Sequence, residues 1–228
     1  DQTVRSITVT SGQTATLNVS DPPKTVEISL TKKSDNPEVT DNNQLYSLEG
    51  AEYSIYKDEA CPQYVNKMVT DEDGLASIDG LALNIYYVKE TKASPGYGLD
   101  TKVYKLDARS GSANVIEVSV ESKEVALMDP VGLLLQKVDA ETGTAVPVDE
   151  GTLQDAQFEV KLYDTFMTTD PGDAGFEPVW SAVMRTDDHG EMWLLNSYVV
   201  SGDHVYTDSK GVQSLPFGTI TFKEIKSP

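Results

Sequence analysis

Short runs in which every second residue is apolar recur along the whole chain. "VEISLTKK" (26–33), "AEYSIYKD" (51–58), "IYYVKET" (85–91), "TKVYKLD" (101–107), "NVIEVSVE" (114–121), "QFEVKLYD" (157–164) and "FGTITFKE" (217–224) all alternate, and each is rich in Val, Ile, Tyr or Phe. Strand side chains point alternately to the two faces of a sheet, so a period of two marks half-buried β-strands. Turn residues separate the runs, and no stretch beyond about two turns holds a helical period. The fold class this predicts is all-β, with tandem Ig-like sandwiches favoured over a closed barrel.

The pattern also repeats. "ISLTKKSD" (28–35) returns as "LLLQKVD" (133–139), and "GAEYSIYKD" (50–58) as "DAQFEVKLYD" (155–164). "TDEDG" (70–74) returns as "TDDHG" (186–190), and "YYVKETKASP" (86–95) as "ITFKEIKSP" (220–228). The order is kept, which predicts one module over 24–129 and a second over 130–228, the latter lacking its closing strands. At the start, "DQTVRSITVTSG" (1–12) resembles "DTKVYKLDARSG" (100–111), and "LNVSDP" (17–22) resembles "VALMDP" (125–130). Residues 1–23 therefore read as closing strands of an upstream module. Asp129-Pro130 runs directly into "VGLLLQK" without a Gly/Ser-rich linker, so the modules are expected end to end across a short, stiff junction.

Alternation also assigns faces. Val26, Ile28, Leu30 and Lys32 share one; Val131, Leu133, Leu135 and Lys137 are their counterparts. Tyr86, Val88 and Glu90 correspond to Ile220, Phe222 and Glu224, and Val125, Leu127 and Asp129 to Leu17, Val19 and Asp21. A single charge ending an apolar row snorkels to water. A lysine, a glutamate and an aspartate at matching places in a repeat ask for more.

"L-x-K" on the first strand, "Y-x-V-x-E-T-x-A-x-P-G-Y" on a later one and an acid closing the last strand together resemble CnaB-type domains. These are the SpaA-like, prealbumin-like modules of Gram-positive pilins and surface adhesins. The proline of "KASPGY" stands one place from its commoner position, which changes the turn only. The resemblance implies a spontaneous isopeptide bond between first-strand Lys and last-strand Asp or Asn, promoted by the Glu. Carried over by motif, the first module's set is Lys32, Glu90 and Asp129; the second has Lys137 and Glu224, and the upstream remnant supplies Asp21. Glu121 and Glu124 lie near Asp129, and Asn18 near Asp21, as alternative acceptors.

Burial disfavours charge, lowering a Lys pKa and raising those of Glu and Asp. A neutral amine is a nucleophile, and a protonated Glu can polarise the acceptor and carry protons as water leaves. Folding holds the partners in contact, replacing a bimolecular collision. The reaction is single-turnover, so the chain is not expected to be an enzyme.

Composition narrows the partners. The 228 residues carry 37 acidic against 18 basic side chains, a net charge of −19, which argues against nucleic acid and anionic lipid. No apolar run reaches the ~20 residues of a membrane span. Cys61 is the sole cysteine, so no intrachain disulfide can brace the fold, and it reads as structural. "DEDG" (71–74) lacks the spaced oxygens of a calcium loop and reads as a hairpin turn. His189 and His204 stand apart and give no zinc pattern. "NVS" (18–20) and "LPFGT" (215–219) match a sequon and a sorting signal only superficially, and Trp180 and Trp193 read as core. No cofactor or metal is expected.

The chain is thus expected to be an extracellular, wall-attached stalk segment, partnered by neighbouring modules. Head-to-tail association through residues 1–23 is a further expectation, those strands completing the second module of the next molecule. The alternative is an adhesin region binding a host protein or glycan through second-module loops at 143–155, 164–179 and 197–215.

Overall fold

The computed structural model describes residues 4–130, 132–146 and 151–228. The expectations for residues 1–3, Val131 and part of the 143–155 loop therefore lie outside the described residues. Among the described residues, thirteen strands follow one another. In the first module they are β1 (Thr25–Ser34), β2 (Glu52–Tyr56), β3 (Tyr64–Val69), β4 (Leu75–Leu81), β5 (Ile85–Lys92), β6 (Val103–Asp107) and β7 (Val115–Glu124). In the second they are β8 (Leu133–Gln136), β9 (Gln157–Tyr163), β10 (Trp180–Arg185), β11 (Glu191–Trp193), β12 (Val199–Gly202) and β13 (Thr219–Lys226).

The first module is a two-layer sandwich, with sheet order β4-β1-β7 facing β3-β2-β5-β6. Along β1, Val26, Ile28, Leu30 and Lys32 are all buried, as the alternation requires. Opposite them lie Tyr53 and Ile55 of β2 and Tyr86, Val88 and Glu90 of β5. Burying each aliphatic or aromatic side chain contributes roughly 1.5–3 kcal/mol. β7 pairs parallel to β1 over ten residues, from Thr25↔Val115 to Ser34↔Glu124.

The second module repeats the plan with orders β11-β8 and β12-β10-β9-β13 around Phe158, Val160, Leu162, Trp180, Met184 and Met192. The turns match in detail. Lys32 N–H donates to Gly74 O at 2.8 Å, and Lys137 N–H to Gly190 O at 2.7 Å. Both glycines are left-handed (φ +74° and +73°), and a Cβ would meet the same lysine carbonyls at 2.6 and 2.8 Å. Thr70 and Thr186 each donate a hydroxyl to a loop carbonyl and accept from Ala51 and Ala156 N–H.

Within the single chain one expected closing strand has no partner, and one expected row is misplaced. Residues 4–24 form no strand and are exposed throughout. A closing strand needs a sheet edge, and β1 is already flanked by β4 and β7. The closing row was also placed too late. Val125 and Leu127 are 50% and 42% exposed, because the chain leaves the ladder after Glu124. The inward row is Val118, Val120, Ser122 and Glu124, shifted by one residue in parity.

The modules meet through a small apolar joint. Tyr46 stacks on Phe217 (centroids 6.1 Å, 9° between planes) and donates its hydroxyl to Leu127 O at 2.7 Å. Asp129 and Leu215 exchange both backbone hydrogen bonds at 2.9 Å. Asn36 donates to Thr207 O at 3.0 Å and Gln44 to Asp164 O at 2.9 Å.

Candidate functional site: a buried lysine between two carboxylates

Lys32 reaches the interior because it extends the apolar row of β1; its side chain is wholly buried. Its register partner across the parallel ladder is Ser122, and Glu124 lies two residues on, on the same face. From the facing sheet come Glu90 of β5 and its cross-strand partner Tyr53 of β2. Lys32 Nζ stands 3.1 Å from Glu90 Oε1, to which it donates, and 3.2 Å from Glu124 Oε2. The second contact is an ion pair without hydrogen-bond alignment, and among the described residues Oε2 has no other polar partner. The Tyr97 ring closes the pocket, its centroid 5.3 Å from Nζ.

The remaining oxygens are held separately. Asp100 N–H donates to Glu90 Oε2 at 2.6 Å. The hydroxyls of Tyr53 (2.8 Å) and Ser122 (2.5 Å) both donate to Glu124 Oε1. Tyr104 donates to Asp100 Oδ2 at 2.7 Å, an oxygen that is also the longer, second acceptor of the Ser122 hydroxyl at 3.2 Å. One cation and two carboxylates sealed from water leave one excess negative charge, which a proton on one acid removes. Burial pushes the Glu90 carboxyl above its ordinary range, against the pull of the Asp100 N–H and Lys32, with Glu124 adding to the rise. Burial likewise pushes the Tyr53 phenol far up and Tyr104 to about 12, so both remain donors at neutral pH.

The structure thus brings Lys32 and Glu90 together and leaves Asp129 elsewhere. Asp129 is exposed at the module joint, because its stretch has left the ladder. Glu121, on the outward face of β7, pairs at 2.8 Å with exposed Lys33. Asp21 and Asn18 are exposed in the strandless segment.

In the second module Lys137 Nζ lies 3.0 Å from both oxygens of Glu224, with side chains 21% and 35% exposed. The register is shared: Phe158↔Glu224 matches Tyr53↔Glu90. Among the described residues β8 pairs with β11 alone, so the place that β7 fills beside β1 has no strand there. Asp187, Asp188 and His189 cluster in the turn, but Asp187 Oδ1 already accepts from His189 and Glu191 N–H and its Oδ2 from Tyr198.

Residues 38–124 match the family model of SpaA, a prealbumin-like fold domain. The match covers less than half of the chain; it includes Tyr53, Glu90, Ser122 and Glu124 and begins after Lys32. No curated protein sequence matches the chain. Among solved structures it is similar to the Bacillus anthracis TIE protein, with 22% identity over 90% of this chain and 32% of that one (TM-score 0.49). It is similar too to BcpA, the major pilin subunit of Bacillus cereus, with 16% identity over 88% and 67% of the two chains (TM-score 0.36). A third is a C-terminal fragment of the pilus adhesin SpaC from Lactobacillus rhamnosus GG, with 14% identity over 89% and 76% (TM-score 0.43). The chain spans about a third of the TIE protein's length.

Within the matched residues 38–124, Tyr53 and Ser122 carry no signal in the sequence, and Glu124 stands there only as an alternative acceptor to Asp129. The signal for Glu124 was present, since Ile116, Val118, Val120, Ser122 and Glu124 share one parity. Tyr53 looked like core, and its hydroxyl matters only because the opposite sheet places a carboxylate above it.

Proposed function

We propose that the chain is a load-bearing segment of a Gram-positive surface stalk, outside the cell and wall-attached in the full-length protein. Its first module locks itself by an amide bond between Lys32 Nζ and the Glu124 carboxyl, with Glu90 as proton carrier. The observation that carries this reading is the fully buried Lys32, with Glu90 Oε1 at 3.1 Å and Glu124 Oε2 at 3.2 Å. A buried, unbonded ion cluster is a poor stabiliser for its desolvation cost. Condensation removes two of its charges and leaves one water.

Glu124 replaces Asp129 as the acceptor in this reading, because it alone among the closing-strand acids contacts Lys32. The stalk reading is favoured over the adhesin alternative by the joint. Asp164, Thr207, Leu215 and Phe217, from the second-module loops and the run just before its last strand, are occupied in contacts with the first module. Lys137 and Glu224 await a carboxylate on a strand beside β8. The row Leu17, Val19, Asp21 of another copy fits the register that Val118, Val120 and Ser122 hold along β1, setting Asp21 opposite Lys137.

Intact-mass measurement on the purified chain tests the first bond. A mass one water below the sequence, with a Lys32–Glu124 branched peptide after proteolysis, is expected. A full sequence mass overturns it.

A further inference from the structure

Resting on the proposed Lys32–Glu124 bond, we infer that Tyr53 and Ser122 are catalytic residues for its formation. Together they form a two-hydroxyl oxyanion site that decides which oxygen of Glu124 departs. The two oxygens of this carboxyl are unequal. Oε1 accepts from both hydroxyls, at 2.8 and 2.5 Å, while Oε2 faces only Lys32. Attack by Nζ on Cδ drives the carbonyl electron pair onto an oxygen, and donors already aimed at that oxygen stabilise the charge without reorganising.

The ammonium passes one proton to Glu124 Oε2, leaving a neutral amine and a neutral acid. The Nζ lone pair forms the C–N bond, and the Cδ–Oε1 π pair moves to Oε1 between Tyr53 and Ser122. Glu90, 3.1 Å from Nζ, exchanges protons: one passes from its carboxyl to Oε2 and one from nitrogen to its carboxyl. The C–Oε2 bond breaks, water leaves, and Oε1 becomes the amide carbonyl. Two protons go from nitrogen to one oxygen, and Glu90 ends as it began.

The second module carries a built-in contrast. Phe158 takes the place of Tyr53, with its ring centroid 6.0 Å from Lys137 Nζ as Tyr53 is from Lys32. The ring is kept and the hydroxyl is absent. The phenol is therefore not needed to pack a lysine there, which separates its chemical role from its bulk.

The experiment follows the intact mass of the full chain with time after synthesis, for the wild type and for Tyr53→Phe, Ser122→Ala and Ser122→Thr. Loss of one oxyanion donor slows such reactions about 10²–10³-fold. Tyr53→Phe and Ser122→Ala should thus appear as full-mass chains that lose water slowly, and Ser122→Thr should recover the wild-type rate. Variants that are dehydrated as completely and as fast as wild type overturn the inference while the bond stands. Ser122→Thr as slow as Ser122→Ala also overturns it, since the hydroxyl would then be irrelevant. A wild-type chain at full mass removes the bond itself and the inference with it.

Discussion

Replacing Lys32 by Met keeps the buried apolar stem and deletes only the amine. If Lys32 is joined to Glu124, the bond closes a loop of roughly 90 residues, and the chain-entropy relation gives ~4–5 kcal/mol of stabilisation. If the contact is only ionic, the variant strands two buried carboxylates, and breaking such a pair costs about 3–5 kcal/mol. The two mechanisms predict similar losses, so the first module should melt some tens of degrees lower in either case, at about 4–8 °C per kcal/mol for a domain of this size. Lys33→Ala is the control. Its side chain is 55% exposed and paired with an exposed Glu121, so its loss should change stability by less than about 1 kcal/mol. Calorimetry of both variants, read beside intact mass, separates the cases: a large loss with a wild-type mass deficit supports the bond, and a large loss without one leaves an ion cluster. A Lys32→Met loss below about 1 kcal/mol refutes the reasoning altogether, because nothing then hangs on the buried amine.

Further outcomes follow from the same geometry. Glu90 is held above its ordinary pKa, so the folded state keeps its proton more tightly than the unfolded one; that contribution is full below the ordinary value of 4.5 and fades as pH rises through the raised value. Urea titrations across that window should show the slope, and Glu90→Gln should flatten it. Gly74→Ala and Gly190→Ala should each cost about 1–3 kcal/mol, since both combine positive φ with a lysine carbonyl inside contact distance; a neutral result in thermal melts would contradict the turn geometry. Tyr46→Ala should uncouple the unfolding of the two modules in calorimetry by removing the stack on Phe217, and a single unchanged transition would show that the joint does not rest on it. Concentrated chain should form detergent-resistant ladders that Lys137→Ala abolishes; a strictly monomeric chain ends the head-to-tail proposal.

Much of this was legible from alternation. β1 and β5 carry uninterrupted rows, so Lys32 and Glu90 could be placed inside from their neighbours. The closing strand could not be read that way. "VSVESKEVALMDP" contains two apolar rows of opposite parity, 118–124 and 125–129, and either alone makes a plausible strand. The choice is made by the long-range ladder to β1, a partner some ninety residues away in sequence. β3 and β4 were missed for a related reason: as edge strands with one wet face, they show weak apolar periodicity. Tyr53 and Ser122 were illegible as partners of Glu124, because the phenol reaches it only across the two sheets and the serine only once the parity of β7 is settled.

The parallel pairing of β1 and β7 has a mechanical corollary. Chain enters at Thr25 and departs beyond Glu124, at opposite ends of one ladder. Tension applied through the two ends therefore loads the strands in shear, straining all ten register pairs together, where an antiparallel pair joined by a hairpin would unzip one rung at a time. With Lys32 tied to Glu124, the load would cross from the first strand to the last near the exit. The residues between, most of the module, would bear none of it.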